Sequence, residues 1–352
     1  MKQNKEAYDL FFQRQTILEE VGRSGQSYLR NAKVLVIGAG GLGCPVLHYI
    51  TAAGVGQITI CDHDRVEYTN LHRQVIYSPD DVGQHKAKIA ASRLRAQNPH
   101  TKITSSTLKF DLDSDITCYD LVIDCSDNFR TKFIAHDLCF IHSKPLIQAS
   151  IHKFEGQVQV YRFDRKREEA PCLRCLWPDM PDPSSVQNCN EAGVLGFVPG
   201  VVGSIQASEA IKLLLGLPTL DTGETLMILL KNFTTEKIAW NKSADCALCN
   251  YDNVSFDSSA YGDTSAEVRY SEVNQSNWSI ISLVGPDARL PTAHMCSLDN
   301  INELASQFGK DSKILVVCRR GITSLNGVKI LREAGYQECF SLAGGLENLS
   351  ED

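Results

Sequence analysis

The sequence predicts an α/β protein: a doubly wound, mostly parallel Rossmann-like sheet, followed by a small α/β domain. Two observations support this prediction. Strand-like and helix-like segments alternate through the first half of the chain, and a glycine-rich turn (GAGGLG) follows the first strand. Alternation of this kind places parallel strands side by side and covers both faces with helices. A glycine turn between strand and helix is typical of nucleotide-binding sheets.

The periodicity of apolar residues predicts each element in order. An apolar stripe among charges makes residues 1–30 helical, and Asn98-Pro99 stops a later helix. Residues 164–193, rich in Pro, Asp, Asn and Ser, are predicted as a mobile excursion. The predicted strands and helices are a strand, glycine turn and helix over 33–53, strand 57–62, helix 83–97, strand 102–110, strand 119–127, helix 129–143, strand 145–151, antiparallel strand 156–163, helix 198–215, strand 225–230, strand 313–318, helix 324–334 and strand 338–342.

Length and composition set the broad class. A chain of 352 residues exceeds one ordinary core, so we predict a domain over 1–250, a Ser- and Asp-rich linker over 251–266 and a second domain over 267–352. The net charge of −7 argues against nucleic-acid binding. The first residues lack a signal-peptide core, and no apolar run reaches the ~18–20 residues that span a bilayer. We therefore expect a cytoplasmic protein that does not enter a membrane.

The glycine turn predicts a nucleotide site. Gly38, Gly40 and Gly43 match the G-x-G-x-x-G pattern, with Gly41 between them, and Asp62 ends the next strand. Glycines let the backbone approach a phosphate, the helix N-terminus offers unpaired N–H groups, and the carboxylate suits a ribose hydroxyl. This motif alone leaves open an NAD-dependent oxidoreductase, or a turn that glycines merely tighten.

Further polar residues lie where strands of this sheet are predicted to end. Asn70, Arg73 and Lys86 follow within one βαβ unit, and Asp127-Asn128 ends a later strand. The carboxyl ends of parallel strands converge on one crevice, so these residues can meet at one ligand. Two cations and a carboxylate suit a triphosphate with Mg²⁺. Each charge taken singly is more typical of a solvated surface, but their order favours the joint interpretation.

Together these segments carry a resemblance. The stretch VLVIGAGGLGCPVLHYITAAGVGQITICDHDRVEYTNLHRQ, with VGQHKA and IDCSDNFRTK, resembles the MoeB/ThiF family of ubiquitin-activating-type adenylating enzymes over residues 8–250. The resemblance implies that Asp127 coordinates Mg²⁺ and that Arg14 reaches the phosphates of a neighbouring subunit, hence a homodimer. Arg14 as an ordinary surface charge is the alternative. The residues it implies for ATP binding are Gly41, Asp62, Asn70, Arg73 and Lys86.

Two C-x-x-C motifs predict a structural metal site. Cys172 and Cys175 form one pair, and Cys246 and Cys249 form the other. Four thiolates are the ligand set of a closed tetrahedral Zn²⁺ site, which stabilises a fold and leaves no position for a substrate. The family resemblance supports the same pairing. A redox C-x-x-C is the alternative.

Cys189 lies between the two C-x-x-C motifs, in QNCNEAGVLG. It resembles the family position that, in some members, holds the activated protein as a thioester or acyl disulfide. A reactive thiol should be exposed on a loop, and the local composition fits this. An unreactive loop thiol is the alternative.

Cys318 follows the strand KILVV and opens the segment CRRGITS, before a helix. Backbone N–H groups in such a loop stabilise an anion, here a thiolate or persulfide. With AGYQECFSLAGGLENL, the segment resembles the C-terminal half of a rhodanese, a sulfurtransferase domain. The earlier part, IISLVGPDARLPTAHMCSL, is shortened relative to that family. Ser324 stands where a phosphatase loop would carry arginine, and a buried strand-end cysteine is the remaining alternative.

These resemblances imply a function. We expect ATP-dependent adenylation of the C-terminal glycine of a ubiquitin-like sulfur carrier of the MoaD/ThiS type with a Gly-Gly tail. Sulfur from a persulfide donor, carried on Cys318, would then form a thiocarboxylate for molybdopterin, thiamine or a related product. The alternatives are an NAD-dependent oxidoreductase, a same-fold enzyme that activates a non-protein carboxylate, and a noncatalytic scaffold.

Overall fold

A computed structural model of the chain describes residues 2–165, 170–181, 193–250, 261, 266–268, 270, 273, 277–319 and 321–346. Their contacts divide them into two compact units. The first unit comprises the described residues up to 250, and the second comprises those from 261 onward. Because most of 251–266 lies outside the described residues, the linker and its exact bounds stay predictions.

The described part of the first unit is built on an eight-stranded sheet in the order β3-β2-β1-β4-β5-β6-β7-β8. The first five strands in this order are parallel, and the last three connections are antiparallel. The strands are β1 (Lys33–Ile37), β2 (Gln57–Cys61), β3 (Lys102–Ser106), β4 (Leu121–Asp124), β5 (Leu146–His152), β6 (Glu155–Tyr161), β7 (Glu224–Leu229) and β8 (Thr234–Ala239). The helices are α1 (Lys2–Phe11), α2 (Gln13–Thr16), α3 (Gly22–Asn31), α4 (Gly43–Ala52), α5 (Lys86–Gln97), α6 (Phe129–Ile141), α7 (Leu173–Leu176) and α8 (Phe197–Leu215).

The central strands of this sheet are buried on both faces. The side chains of β4 are buried throughout, and β1 is buried after its first residue. Continuous apolar runs such as KVLVI and LVID are typical of parallel strands that lie under helices on both sides. This architecture confirms the fold predicted from the sequence.

One described helix, α8, is long and apolar enough to cross a membrane by length and composition. Half of that helix is buried within the unit, and it packs on α4, β5 and β6. These contacts are those of a helix in a protein core, where an apolar composition is also expected.

The structure corrects several boundaries. The predicted helix over 1–30 is three helices, because the chain turns at Phe12 and again over residues 17–21, just before Gly22, whose φ is +55°. The strand β8 was not predicted. All its residues are exposed, so it lacks the apolar alternation that predicts a strand. Of the predicted excursion, residues 166–169 and 182–192 lie outside the described residues.

The second unit contains a five-stranded parallel sheet in its described residues, in the order β11-β10-β12-β13-β9. The central strand β12 sends alternate side chains into two apolar clusters, one on each face. The strands are β9 (Glu267–Val268), β10 (Ser279–Ser282), β11 (His294–Met295), β12 (Ile314–Val317) and β13 (Cys339–Leu342), and the helices are α9 (Ile301–Ala305) and α10 (Ile322–Glu333).

Candidate functional site

The strand order creates a crevice between β1 and β4. From β1 the chain continues through α4 to β2 on one side, and from β4 it continues through α6 to β5 on the other. At such a switch point the two connections diverge and leave space beyond the carboxyl ends of the strands. Gly38 follows β1 there, and the segment from Cys125 to Asn128 follows β4.

The glycine turn at this crevice has no room for side chains at two positions. Gly38 has a φ of +91°, and a Cβ there would lie 2.9 Å from the carbonyl oxygen of Cys125. A Cβ on Gly43 would lie 2.2 Å from the carbonyl oxygen of Gly38. The turn is therefore tight and delivers the chain directly into α4. Gly40 and Gly41 lie between them, and a Cβ on Gly41 would lie 3.9 Å from Cγ of Arg73.

Asp62, at the end of β2, is buried and fastens the glycine turn. Its two carboxylate oxygens accept hydrogen bonds from the backbone N–H groups of Ala39, at 2.7 Å, and Asp64, at 2.8 Å. Burial raises the pKa of Asp62, although Lys86 and these hydrogen bonds act in the opposite direction. The carboxylate thus helps to hold the glycine turn in place. Its contact with a ribose stays a prediction.

Lys86 is the first residue of α5, and its side chain is 7% exposed. Its ammonium lies 2.9 Å from a carboxylate oxygen of Asp64, whose side chain is 53% exposed. Burial disfavours the charged ammonium, but the carboxylates of Asp64, Asp62 and Asp127 outweigh it, so the pKa of Lys86 is raised. The structure therefore brings Lys86, Asp62 and Asp127 into one electrostatic cluster, and Asp64 joins them.

Asn70 and Arg73 are joined by a hydrogen bond. Asn70 lies buried in a 3₁₀ turn (Tyr68–Asn70), and its Oδ1 accepts hydrogen bonds from Arg73 at 2.9 Å and Gln74 at 3.3 Å. Arg73 also donates to the carbonyl oxygen of Thr69 at 3.1 Å. These contacts fix the guanidinium against the turn, while Cγ of the same side chain lies beside Gly41.

Asp127 and Asn128 differ in what surrounds them. Both are exposed at the start of α6, where Asn128 is the N-cap and its Oδ1 accepts a hydrogen bond from the N–H of Thr131 at 2.9 Å. This contact is the usual role of asparagine at a helix start. Asp127 precedes the cap and is exposed, and its binding of Mg²⁺ stays a prediction.

Asp124, the last residue of β4, is fully buried and stabilises the loop that leads from β4 to Asp127. One carboxylate oxygen accepts from the N–H of Ser126 at 2.9 Å and its hydroxyl at 2.5 Å. The other accepts from Lys132 and Gln148, each at 3.1 Å. Four donors satisfy the buried carboxylate, so the hydrogen bonds and the ion pair with Lys132 offset the cost of burying its charge. These contacts fix the backbone before Asp127.

Arg14 lies exposed on α2. Its side chain makes no hydrogen bond or ion pair with the residues that the structure describes. Leu10, Ile17 and Leu18 are exposed beside it along the chain. The side chain is accessible to a second molecule, and its role in a neighbouring site stays a prediction.

The four cysteines of the two C-x-x-C motifs converge. Cys172 Sγ lies 3.8, 3.5 and 3.4 Å from the Sγ atoms of Cys175, Cys246 and Cys249, and Cys175 lies 3.6 Å from Cys249. Zinc–sulfur bonds of about 2.3 Å in a tetrahedron imply S···S separations of about 3.8 Å. The cluster therefore has the ligand set and the dimensions of a closed metal site.

A buried network holds the first cysteine pair against α6. Nε2 of His136 accepts a hydrogen bond from the N–H of Leu173 at 2.9 Å, so the ring proton is assigned to Nδ1, 2.8 Å from Asp137. The other oxygen of Asp137 pairs with Arg174 at 2.7 Å. Sequence reasoning missed these residues, since nothing local links an His-Asp pair in a helix to a C-x-x-C motif.

Cys318 lies buried at the end of β12, at the start of the loop that leads into α10. The N–H groups of Gly321 and Ser324 point at its Sγ, at 3.1 and 3.3 Å. The hydroxyl of Ser324 lies 3.2 Å from the same sulfur. The arrangement offers donors to a sulfur anion. Cys189, the other predicted reactive thiol, lies outside the described residues.

Comparisons with known proteins agree with this geometry. Residues 12–248 match the ThiF family model, and residues 279–352 match the rhodanese-like domain model. The chain is 42% identical to a sulfur carrier protein adenylyltransferase of Thermus thermophilus, covering 71% of this chain and 93% of that protein. It is 35% identical to an adenylyltransferase and sulfurtransferase MOCS3 of Caenorhabditis briggsae, covering 96% and 92%.

Two further similarities extend these findings. A SAMP-activating enzyme E1 of Haloferax volcanii is 40% identical over 68% of this chain and 87% of that protein. A crystal structure of E. coli MccB matches with a TM-score of 0.57 and 22% identity, covering 66% of this chain and 69% of that one. The likeness to MccB shows the fold alone.

Proposed function

The chain belongs to the ThiF family, and from this premise we propose that it is an ATP-dependent adenylyltransferase for a ubiquitin-like sulfur carrier protein. The observation that carries the proposal is the family match over residues 12–248, together with Arg73 beside Gly41 and a buried Lys86 at the same crevice. The rhodanese-like match adds sulfur transfer as the second activity.

In the first step the terminal glycine carboxylate of the carrier attacks the α-phosphate of ATP, and pyrophosphate leaves. The attacking carboxylate is already ionised, so the step requires no general base. Arg73, Lys86 and a partner's Arg14 would stabilise charge on the phosphates, which is the main catalytic contribution available in such a site. Bound at Asp127, Mg²⁺ would offset charge on the leaving pyrophosphate.

The second step moves sulfur to the activated carrier. The outer sulfur of a persulfide on Cys318 attacks the acyl-adenylate, AMP leaves, and an acyl disulfide forms. A second thiolate then attacks the Cys318 sulfur, forms a disulfide with it, and releases the carrier as a thiocarboxylate. Cys189 is our candidate for a stop on the way: its thiolate would displace AMP from the acyl-adenylate to form a thioester, and the Cys318 persulfide would attack that thioester and release the Cys189 thiolate. The thiocarboxylate would serve molybdopterin, thiamine or related biosynthesis.

Zinc at the four cysteines would be structural. The closed ligand set leaves no open coordination position, so the metal would tie the segment around α7 to that following β8. The site takes no part in either chemical step.

ATP–pyrophosphate exchange with Gly-Gly-tailed carriers tests the proposal. Arg73→Ala should abolish exchange, whereas Arg23→Ala, which removes an exposed arginine of the same unit, should not. Cys318→Ala should retain exchange and lose only thiocarboxylate formation. Exchange without any carrier would instead indicate a non-protein carboxylate, and NAD(H) binding without exchange would indicate an oxidoreductase.

A mixing experiment tests the homodimer. Arg14→Ala and Arg73→Ala subunits, each inactive alone, should regain about a quarter of wild-type exchange when mixed, because half the dimers would contain one intact site. Persistent inactivity of the mixture, with mixed dimers shown by native mass spectrometry, would contradict a shared site.

A further inference from the structure

Two buried serines form a chain of hydrogen bonds beneath the sulfur of Cys318. The hydroxyl oxygen of Ser324 lies 3.2 Å from Sγ and 2.7 Å from the hydroxyl oxygen of Ser341. The hydroxyl of Ser341 donates to the carbonyl oxygen of Gly321 at 3.2 Å. Both serines are fully buried, so water does not compete for these bonds.

The number of hydrogens determines the direction of each bond. A carbonyl oxygen only accepts, and a hydroxyl carries one hydrogen. When Ser341 donates to Gly321, the hydrogen between the two serines must come from Ser324. Ser324 therefore has no hydrogen left for sulfur, and its oxygen accepts the S–H of Cys318. Every hydrogen has an acceptor when Cys318 is a thiol.

Loss of the thiol proton reverses this chain. A thiolate only accepts, and the N–H groups of Gly321 and Ser324 already donate to it. Ser324 becomes a third donor if its hydroxyl turns toward sulfur. Ser341 must then donate to Ser324, since two oxygens 2.7 Å apart with no hydrogen between them repel each other. The carbonyl oxygen of Gly321 then loses the hydrogen bond from the Ser341 hydroxyl.

We propose that Ser324 and Ser341 are positioning residues of the sulfur-transfer site, a reversible chain that gives Cys318 a third hydrogen-bond donor when it becomes a nucleophile. In that form the Cys318 thiolate attacks the outer sulfur of a persulfide donor, one S–S bond forms as another breaks, and the donor thiolate leaves. This inference rests on the proposed sulfurtransferase role of Cys318.

The proposal assigns opposite effects to the two serines. Ser324→Ala removes the third donor, and because hydrogen bonds to charged groups are strong, we expect about tenfold slower reaction of Cys318. Ser341→Ala removes the acceptor that holds the Ser324 hydroxyl away from sulfur in the thiol form. We expect this variant to react about threefold faster than wild type. A role in packing alone predicts that both substitutions act in the same direction.

The test is the rate of iodoacetamide alkylation of the peptide containing Cys318, followed by mass spectrometry on the full chain at one pH. Ser306→Ala, an exposed serine of the same unit, is the matched control and should leave the rate unchanged. Thermal melting verifies folding of each variant. Opposite effects of the two substitutions support the chain, and any other pattern overturns it.

Should Ser324→Ala not fold, Ser341→Ala decides alone, since an unchanged or slower rate contradicts the proposal. The assay uses neither ATP nor a carrier, so its outcome is independent of the exchange measurements that test adenylation.

Discussion

Asp64→Asn should make adenylation more sensitive to alkaline pH. The Lys86 ammonium and the Asp64 carboxylate lie 2.9 Å apart, with side chains 7% and 53% exposed. Two exposed charges in contact typically contribute about 0.2–1 kcal/mol, and a pair near a protein surface at 4 Å has a Coulomb energy of about 4 kcal/mol. Because one partner is buried and the other half exposed, we take about 1–2 kcal/mol for this pair.

That free energy favours the charged ammonium, so its loss lowers the pKa of Lys86. Burial lowers the pKa of Lys86, and the carboxylates of Asp64 and Asp62 raise it by more. Removing one of these carboxylates therefore lowers the pKa. If the protonated ammonium is needed, activity is present below the pKa and is lost as pH rises through it. The alkaline loss of exchange should therefore occur at lower pH in Asp64→Asn than in wild type.

The assay is the pH dependence of ATP–pyrophosphate exchange, with circular dichroism at each pH to verify folding. Asp113→Asn removes an equal charge from an exposed side chain of the same unit and should leave the profile unchanged. Coincident alkaline limits for wild type and Asp64→Asn would show that this carboxylate does not keep Lys86 charged.

Other predictions concern the metal site and the packing of the first unit. Metal analysis of wild type should find about one zinc per chain and that of Cys172→Ser none, with a lower melting temperature; equal metal contents would contradict a four-cysteine site. Gly43→Ala should lower the free energy of unfolding in urea by about 1–3 kcal/mol, because its Cβ would lie 2.2 Å from a carbonyl oxygen; an unchanged midpoint would refute the tight turn. Asp137→Asn should cost about 3–5 kcal/mol in the same assay by leaving Arg174 without its buried carboxylate, and a loss well below that would show that the network relaxes.

Elements with a strong local signal were predicted well. The apolar runs of β1 and β4 are nearly continuous because both faces of these strands are covered, and the helix over 198–215 differs from α8 by one residue. The strand β8 escaped prediction because its exposed side chains show no apolar pattern. At the N-terminus, an apolar stripe predicted one helix where turns separate three.

Sequence alone determined the chemistry available to this protein: a glycine turn after a strand, cations and carboxylates at strand ends, two cysteine pairs and a thiol before a helix. Each is a short pattern in which neighbouring residues carry the signal. Tertiary structure decided which partners these groups have. Asp64 with Lys86, His136 with the segment of Cys172, and Ser341 with Ser324 are joined across elements, because strand order and helix packing bring together residues that sequence spacing keeps apart.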